Sequence, residues 1–198
     1  MTDSLPHWDQ VYTSRTETQL SWHQDAAQLS LELTLPLQPR SVIDIGGGLS
    51  RYADGLIAAG VGDVTVLDIS QVALDAARVR LGDAVEWIRA DITKWQPSRT
   101  WELWHDRAVF HFLNADKDRA AYIAALKQAL TPGTHALIAT FAPDGPDSCS
   151  GLPVVRYSPA SLAALLDPAF APVTSRSHRH LTPWGTGQSF QYSLFRRI

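Results

Sequence analysis

From about residue 40 onward the chain alternates short β-branched apolar runs with Ala/Leu-rich stretches of helical period, and few folds accept that pattern. A strand that returns through a helix must lie parallel to the one before it. Strands are expected at residues 41–45, 64–69, 84–89, 102–106 and 136–141, each punctuated by Gly, Asp or Pro. Helices are expected at 50–59, 71–81, 108–113 and 116–130, the last stopped by Thr131-Pro132-Gly133. The class is α/β, with helices on both faces of a mostly parallel sheet.

After Phe141 the alternation ends. A Pro-, Gly- and Asp-rich loop at 142–156 leads to a short helix at 159–166, then to extended segments at 173–180 and 189–196. Segments joined so closely pair antiparallel, so the sheet acquires an antiparallel edge hairpin. The chain of 198 residues, 45% hydrophobic and 19% charged, suits a single domain over 1–198. Residues 1–39, with Trp8, Tyr12, Trp22 and a Leu-rich stretch ended by Pro36, form a helical extension over the 40–198 core.

A formal charge of −3 removes the electrostatic footprint of a general nucleic-acid binder. Cys149 has no partner for an intrachain disulfide, which fits a reducing compartment. The opening lacks the basic and apolar regions of a secretory signal, and no apolar run is long enough to span a bilayer. A cytoplasmic protein is expected. The histidines show no metal-ligand spacing, so no metal is expected.

The chemistry concentrates where Val42-Ile43-Asp44-Ile45 runs into Gly46-Gly47-Gly48. Glycines after a first strand let backbone approach a ligand at the carboxyl end of the sheet, although a plain tight turn uses the same residues. The second strand ends in Asp68, about twenty positions past Gly48, where a ribose-binding carboxylate belongs. The third glycine of a dinucleotide fingerprint would fall at position 51, which is Arg51. That counts against a nicotinamide cofactor. Asp44, two residues before Gly46, would repel a pyrophosphate and attract the ammonium of a methionine moiety.

With these residues in view, the chain resembles the class I, Rossmann-like, S-adenosylmethionine-dependent methyltransferases along nearly its whole length. Asp44 to Gly48 resembles their first motif, Asp68 the acidic end of their second strand, and Ala90-Asp91-Ile92 the turn that meets the adenine. His7-Trp8-Asp9-Gln10-Val11-Tyr12 and Ser21-Trp22-His23-Gln24 look like the opening of small bacterial members and of the lysine methyltransferases acting on citrate synthase and elongation factor 1A. The resemblance implies a seven-stranded sheet ending in an antiparallel hairpin, and S-adenosyl-L-methionine as cofactor. It implies cofactor contacts from Trp8, Tyr12, Trp22, Asp44, Gly46 and Gly48, then from Asp68, Ile69, Asp91, Ile92 and His105. The Glu-Lys-Gly-Thr segment of the eukaryotic lysine-specific relatives is absent, so their acceptor does not carry over.

The fourth strand runs into Trp104-His105-Asp106-Arg107-Ala108-Val109-Phe110-His111-Phe112, which the family fold turns toward the transferable methyl group. His105, Asp106 and His111 are the candidate catalytic residues, since His titrates near neutrality and a carboxylate can orient it. A structural alternative makes Asp106 a helix cap, His111 a core contact and Arg107 the partner of a surface carboxylate. Cys149 and Trp184 are secondary candidates. The function read from the sequence is methyl transfer to an unidentified acceptor, a small molecule ahead of a protein, by a monomer or weak dimer with no nucleic-acid or membrane partner. The competing readings are an NAD(P)-dependent oxidoreductase and a non-catalytic nucleotide-binding module.

Overall fold

The computed structural model describes residues 4–198, so the first three residues of the N-terminal extension lie outside the described residues. Its strands are β1 (Ser41–Ile45), β2 (Asp63–Asp68), β3 (Glu86–Arg89), β4 (Trp101–Arg107), β5 (Leu130–Phe141), β6 (Ser148–Cys149), β7 (Leu152–Pro153), β8 (Phe170–Leu181) and β9 (Gly187–Arg197). The helices are α1 (Ser4–Ser14), α2 (Gln28–Thr34), α3 (Tyr52–Ala58), α4 (Gln71–Leu81), α5 (Asp116–Ala129) and α6 (Pro159–Leu166). Among the described residues, seven strands form one sheet in the order β3-β2-β1-β4-β5-β9-β8, and β6 and β7 form a separate ribbon. The first five strands of that order are parallel, and β9 runs antiparallel to both β5 and β8. No helix among the described residues is long and apolar enough to cross a membrane.

Local chemistry sets the element ends. Ser70 caps α4 by accepting from the Ala73 amide at 3.3 Å, and Gly82, with φ of 56°, closes it. Ser158 caps α6 ahead of Pro159 at the first helical position, where the missing N–H costs nothing. Period-two alternation then sorts side chains between two layers. Ile43, Trp104 and Ile138 face α5 and α6, while Val42, Val66 and Leu103 face α3 and α4. On that second face, Leu29 and Leu33 of α2 cover Leu137 and Leu194, so the extension forms part of the core.

Two local expectations are corrected. Residues 108–113 do not form an α-helix. Ala108 takes φ of 74°, and only a short 3-10 turn at Phe110–Phe112 follows. The Asp106 carboxylate captures the Val109 and Phe110 amides at 2.8 and 3.0 Å, which fixes a tight turn in place of a helical one. Thr131-Pro132-Gly133 stops α5, but no loop separates the helix from the next strand. Leu130 already pairs with Trp101, and the register then jumps to His135 opposite Leu103, leaving the Pro-Gly segment as a bulge.

The extension is fastened at several points. Glu17 takes the Arg51 guanidinium through both oxygens at 2.7 and 2.9 Å, and Arg80 on α4 grips Asp54 at 2.6 and 3.0 Å beside it. Asp9 on α1 accepts from the Ser70 hydroxyl at 2.6 Å, and His180 meets the Ser21 carbonyl at 2.7 Å. Arg51 therefore holds the extension to the core from the position where a dinucleotide site has its third glycine. Substituting Arg51→Ala is expected to lower stability by about 1 kcal/mol, the scale of a partly exposed ion pair, and to speed proteolysis between residues 15 and 25. Urea unfolding and limited trypsinolysis measure the two effects.

Candidate functional site

The strand order reverses between β1 and β4, since β2 and β3 lie on one side of β1 and β4 and β5 on the other. Such a switch point opens a crevice at the carboxyl ends of the strands. A cavity of about 840 Å³, open to solvent, lies there. One end is lined by Gly46, Leu67, Asp68 and Ile69 with the Ala90, Asp91 and Ile92 turn. Trp8, Tyr12 and Trp22 of the extension line it as well. The other end is built by Arg107, Phe112, Phe141, Cys149, Gln188 and Phe190.

The glycine turn is shaped by what surrounds it. Gly46 takes φ of 64°, and a Cβ there would strike the Val109 side chain. Gly48, with φ of 35°, has the Asp68 carboxylate 2.8 Å and the Tyr12 hydroxyl 3.0 Å from where a Cβ would stand. The turn thus brings backbone, carboxylate and phenol together. Asp68 is buried and accepts from the Ser70 amide at 2.8 Å. Burial, with the nearby charges of Asp44 and Asp9, pushes its carboxyl up to about 7 against that hydrogen bond. Asp91 differs. Burial alone would raise its pKa, but bonds from the Thr93 hydroxyl and amide and from Lys94 hold it below the ordinary range.

The sequence-derived residues divide sharply by place. Trp8, Tyr12, Trp22, Gly46, Asp68, Ile69, Asp91 and Ile92 line the cavity, whereas Gly48 does not, and packs behind Asp68 and Tyr12. Asp44 does not line it. One Asp44 oxygen meets His105 Nδ1 at 2.6 Å, and the other is buried without a partner, 2.6 Å from where a Gly47 Cβ would stand.

His105, expected at both the cofactor and the methyl group, is 1% exposed, held by Asp44 and by the Ser30 hydroxyl at 2.8 Å, and stacked on Tyr52. Asp106 is fully buried. Besides the two amides it accepts from the Tyr122 hydroxyl at 2.6 Å, and burial pushes its carboxyl up to about 6. His111 takes the Phe141 amide on Nδ1 at 3.3 Å. Burial, then the charge of Arg107, depress it to about 3 and keep it neutral.

None of these three lines the cavity, so the capping and packing alternative describes them. Strand alternation is the reason. Trp104 and Asp106 turn toward α5, His105 toward α2 and α3, and Arg107 at the strand end emerges into the cavity.

Arg107 is not paired with a surface carboxylate. Its Nε donates to the Tyr192 hydroxyl at 2.9 Å and its Nη1 to the Trp22 carbonyl at 3.0 Å. The sequence reading missed Phe112, Phe141, Gln188 and Phe190 as lining residues. Their only signal was their place at or just beyond the ends of neighbouring strands, since Phe and Gln carry no motif of their own. Cys149 lines the cavity, whereas Trp184 is 59% exposed in the β8–β9 loop.

Residues 42–133 match a family model described as a methyltransferase domain. No curated protein sequence matches the chain. The fold is shared with solved structures. A S-adenosylmethionine-dependent methyltransferase from Anabaena variabilis is 14% identical with a TM-score of 0.79, over 99% of this chain and 96% of that one. The N-methyltransferase NodS of Bradyrhizobium japonicum, solved with S-adenosyl-L-homocysteine, is 17% identical with a TM-score of 0.69, over 96% and 97%. The 1,6-didemethyltoxoflavin N1-methyltransferase of Burkholderia thailandensis, solved with that acceptor and S-adenosylhomocysteine, is 20% identical with a TM-score of 0.67, over 100% and 85%. The comparisons do not show the likeness to the citrate synthase and elongation factor 1A enzymes that the N-terminal motifs suggested.

The raised Asp68 pKa has a directional consequence. Its folded value lies above its unfolded one, so the stability it confers is full below about pH 4 and is lost as pH rises through about 7. A ligand that donates hydroxyls to the carboxylate prefers the charged form and binds tighter over the same interval, by about tenfold from pH 6 to pH 8. Calorimetric titration of an adenosine ligand at the two pH values is expected to show this, and Asp68→Asn to flatten it.

Proposed function

We propose that the chain is a S-adenosylmethionine-dependent methyltransferase and that it methylates a small molecule seated at the Arg107 end of the cavity, the reading that its match to a methyltransferase-domain model and its fold support. The observation that carries this reading is the continuity of one cavity from the Asp68 carboxylate, across the glycine turn, to a far end walled by aromatic rings.

The residues present fit the cofactor. Asp68 is a buried carboxylate placed for a ribose diol, and Gly46 and Gly48 leave backbone bare beside it. Leu67, Ile69 and Ile92 offer apolar surface for a flat base. When bound, S-adenosylmethionine supplies a methyl group on a sulfonium, open to in-line attack. The chain holds the reactants in line and keeps water out, which for such a displacement is most of the catalysis. Trp8, Tyr12 and Trp22, pinned by the Asp9, Glu17 and His180 contacts, form that cover.

The far end presents no carboxylate or imidazole among the described lining residues. An acceptor whose nucleophile is already partly free near neutral pH, such as a thiol, suits it. The roofed cavity favours a small molecule over a protein side chain, and the net charge of −3 disfavours nucleic acid. We place the chain in the cytoplasm as a monomer or weak dimer, its one unpaired cysteine being suited to a reducing compartment.

S-adenosylmethionine and S-adenosylhomocysteine are expected to bind in calorimetry while NAD and NADP do not, and the reverse order would refute the reading. Asp68→Ala should weaken cofactor binding by about 1.5–3 kcal/mol, the range for a charged hydrogen-bonding partner. Its melting temperature at pH 8 should not fall, because the buried charge itself disfavours the fold there.

A further inference from the structure

Resting on the methyltransferase reading, we propose that Arg107 and Gln188 recognise the acceptor, selecting a flat small molecule that carries a carboxylate or similar acid beside an N–H or O–H donor. Arg107 is the one charged side chain at the aromatic end of the cavity among the described lining residues. Two of its nitrogens are engaged by neutral oxygens, and Nη2 is buried without a partner. The ion pairs of the described residues do not include it. Its field is accordingly uncompensated. His111, His178 and His180 are each held below the ordinary imidazole value, by burial first and by Arg107 second. A guanidinium kept half-buried without a counter-ion is costly unless an anion arrives to meet it.

Gln188 supplies the second half of the pair. It is 8% exposed, lines the same end, and its side-chain oxygen is buried without a partner. A ligand that answers both groups brings an acid for Arg107 and a donor for Gln188. The ring walls of Phe112, Phe141 and Phe190 suit a planar body between them. A carboxylate has another source, the amino-acid end of the cofactor itself. The acceptor is favoured because the guanidinium lies 4.8 Å over the Phe190 ring and bonds Tyr192, both on β9, the strand that also carries the unpartnered Gln188 oxygen.

The test titrates 2-naphthoate and its neutral isostere 2-naphthamide into protein saturated with S-adenosylhomocysteine. The acid is expected to bind about tenfold or more tighter than the amide, the scale of a charge-assisted bond, and Arg107→Met to erase the preference. Equal binding, binding of neither, or a preference that survives in the variant overturns the proposal. A second arm compares S-adenosylhomocysteine with methylthioadenosine, which lacks the amino-acid end. If Arg107→Met loses the first and keeps the second, the guanidinium serves the cofactor and the acceptor assignment falls. Wild-type protein that binds no S-adenosylhomocysteine refutes the methyltransferase reading instead. If Arg107→Met does not fold, Arg107→Gln takes its place, and the wild-type comparison of acid with amide decides without any variant.

Discussion

A carboxylate and an imidazole buried between β1 and β4 hold the switch point together. Asp44 and His105 occupy paired positions on strands that belong to opposite halves of the sheet, so their 2.6 Å contact fixes the place where the crevice opens. Taking such groups out of water costs several kcal/mol per ion, which good geometry and further hydrogen bonds must offset. The second imidazole nitrogen reaches Ser30 on α2, and Tyr52 of α3 stacks on the ring at 3.8 Å. One side-chain pair thus joins two strands, the extension and the helix after the glycine turn. It also dictates the turn, because the free Asp44 oxygen and Val66 occupy the space a side chain at position 47 would need.

The parts of this architecture that depend on period were legible in the sequence. Ser41–Ile45, Gln71–Leu81 and Pro159–Leu166 have the bounds that periodicity and capping predict, and the closing hairpin followed from the short connection between its strands. Residues whose meaning depends on facing were not legible. His105, Asp106 and Arg107 are adjacent in the chain, yet alternation sends the first to one layer, the second to the other and the third to the cavity. Residue type alone favoured the histidine and the aspartate, which the fold spends on internal hydrogen bonds. The 108–113 segment misled for a related reason, since the pull of Asp106 on two amides overrides helical propensity and leaves no trace in hydrophobic period.

The Asp68 end of the cavity owes its character to carboxylates, two of them buried. Asp9, Asp44 and Asp68 crowd near the glycine turn, while the arginines close by, Arg51 and Arg80, are engaged by Glu17 and Asp54. The negative potential at the floor is therefore not quenched by the cations beside it. At the opposite end the imbalance is positive, with Arg107 unpaired among aromatic rings. On the proposed reading, the cationic groups of a sulfonium cofactor and the anion of an acidic acceptor would each meet the opposite sign.

The far end of the cavity draws on two stretches of chain. Arg107 and Phe112 lie within the 42–133 segment that matches the methyltransferase-domain model, together with the glycine turn, Asp68 and Asp91, whereas Phe141, Cys149, Gln188 and Phe190 lie beyond it. Changes confined to the closing hairpin and the β6–β7 ribbon would therefore reshape the wall around the guanidinium and leave the guanidinium in place. The charge of that end is set by one part of the chain and much of its shape by another.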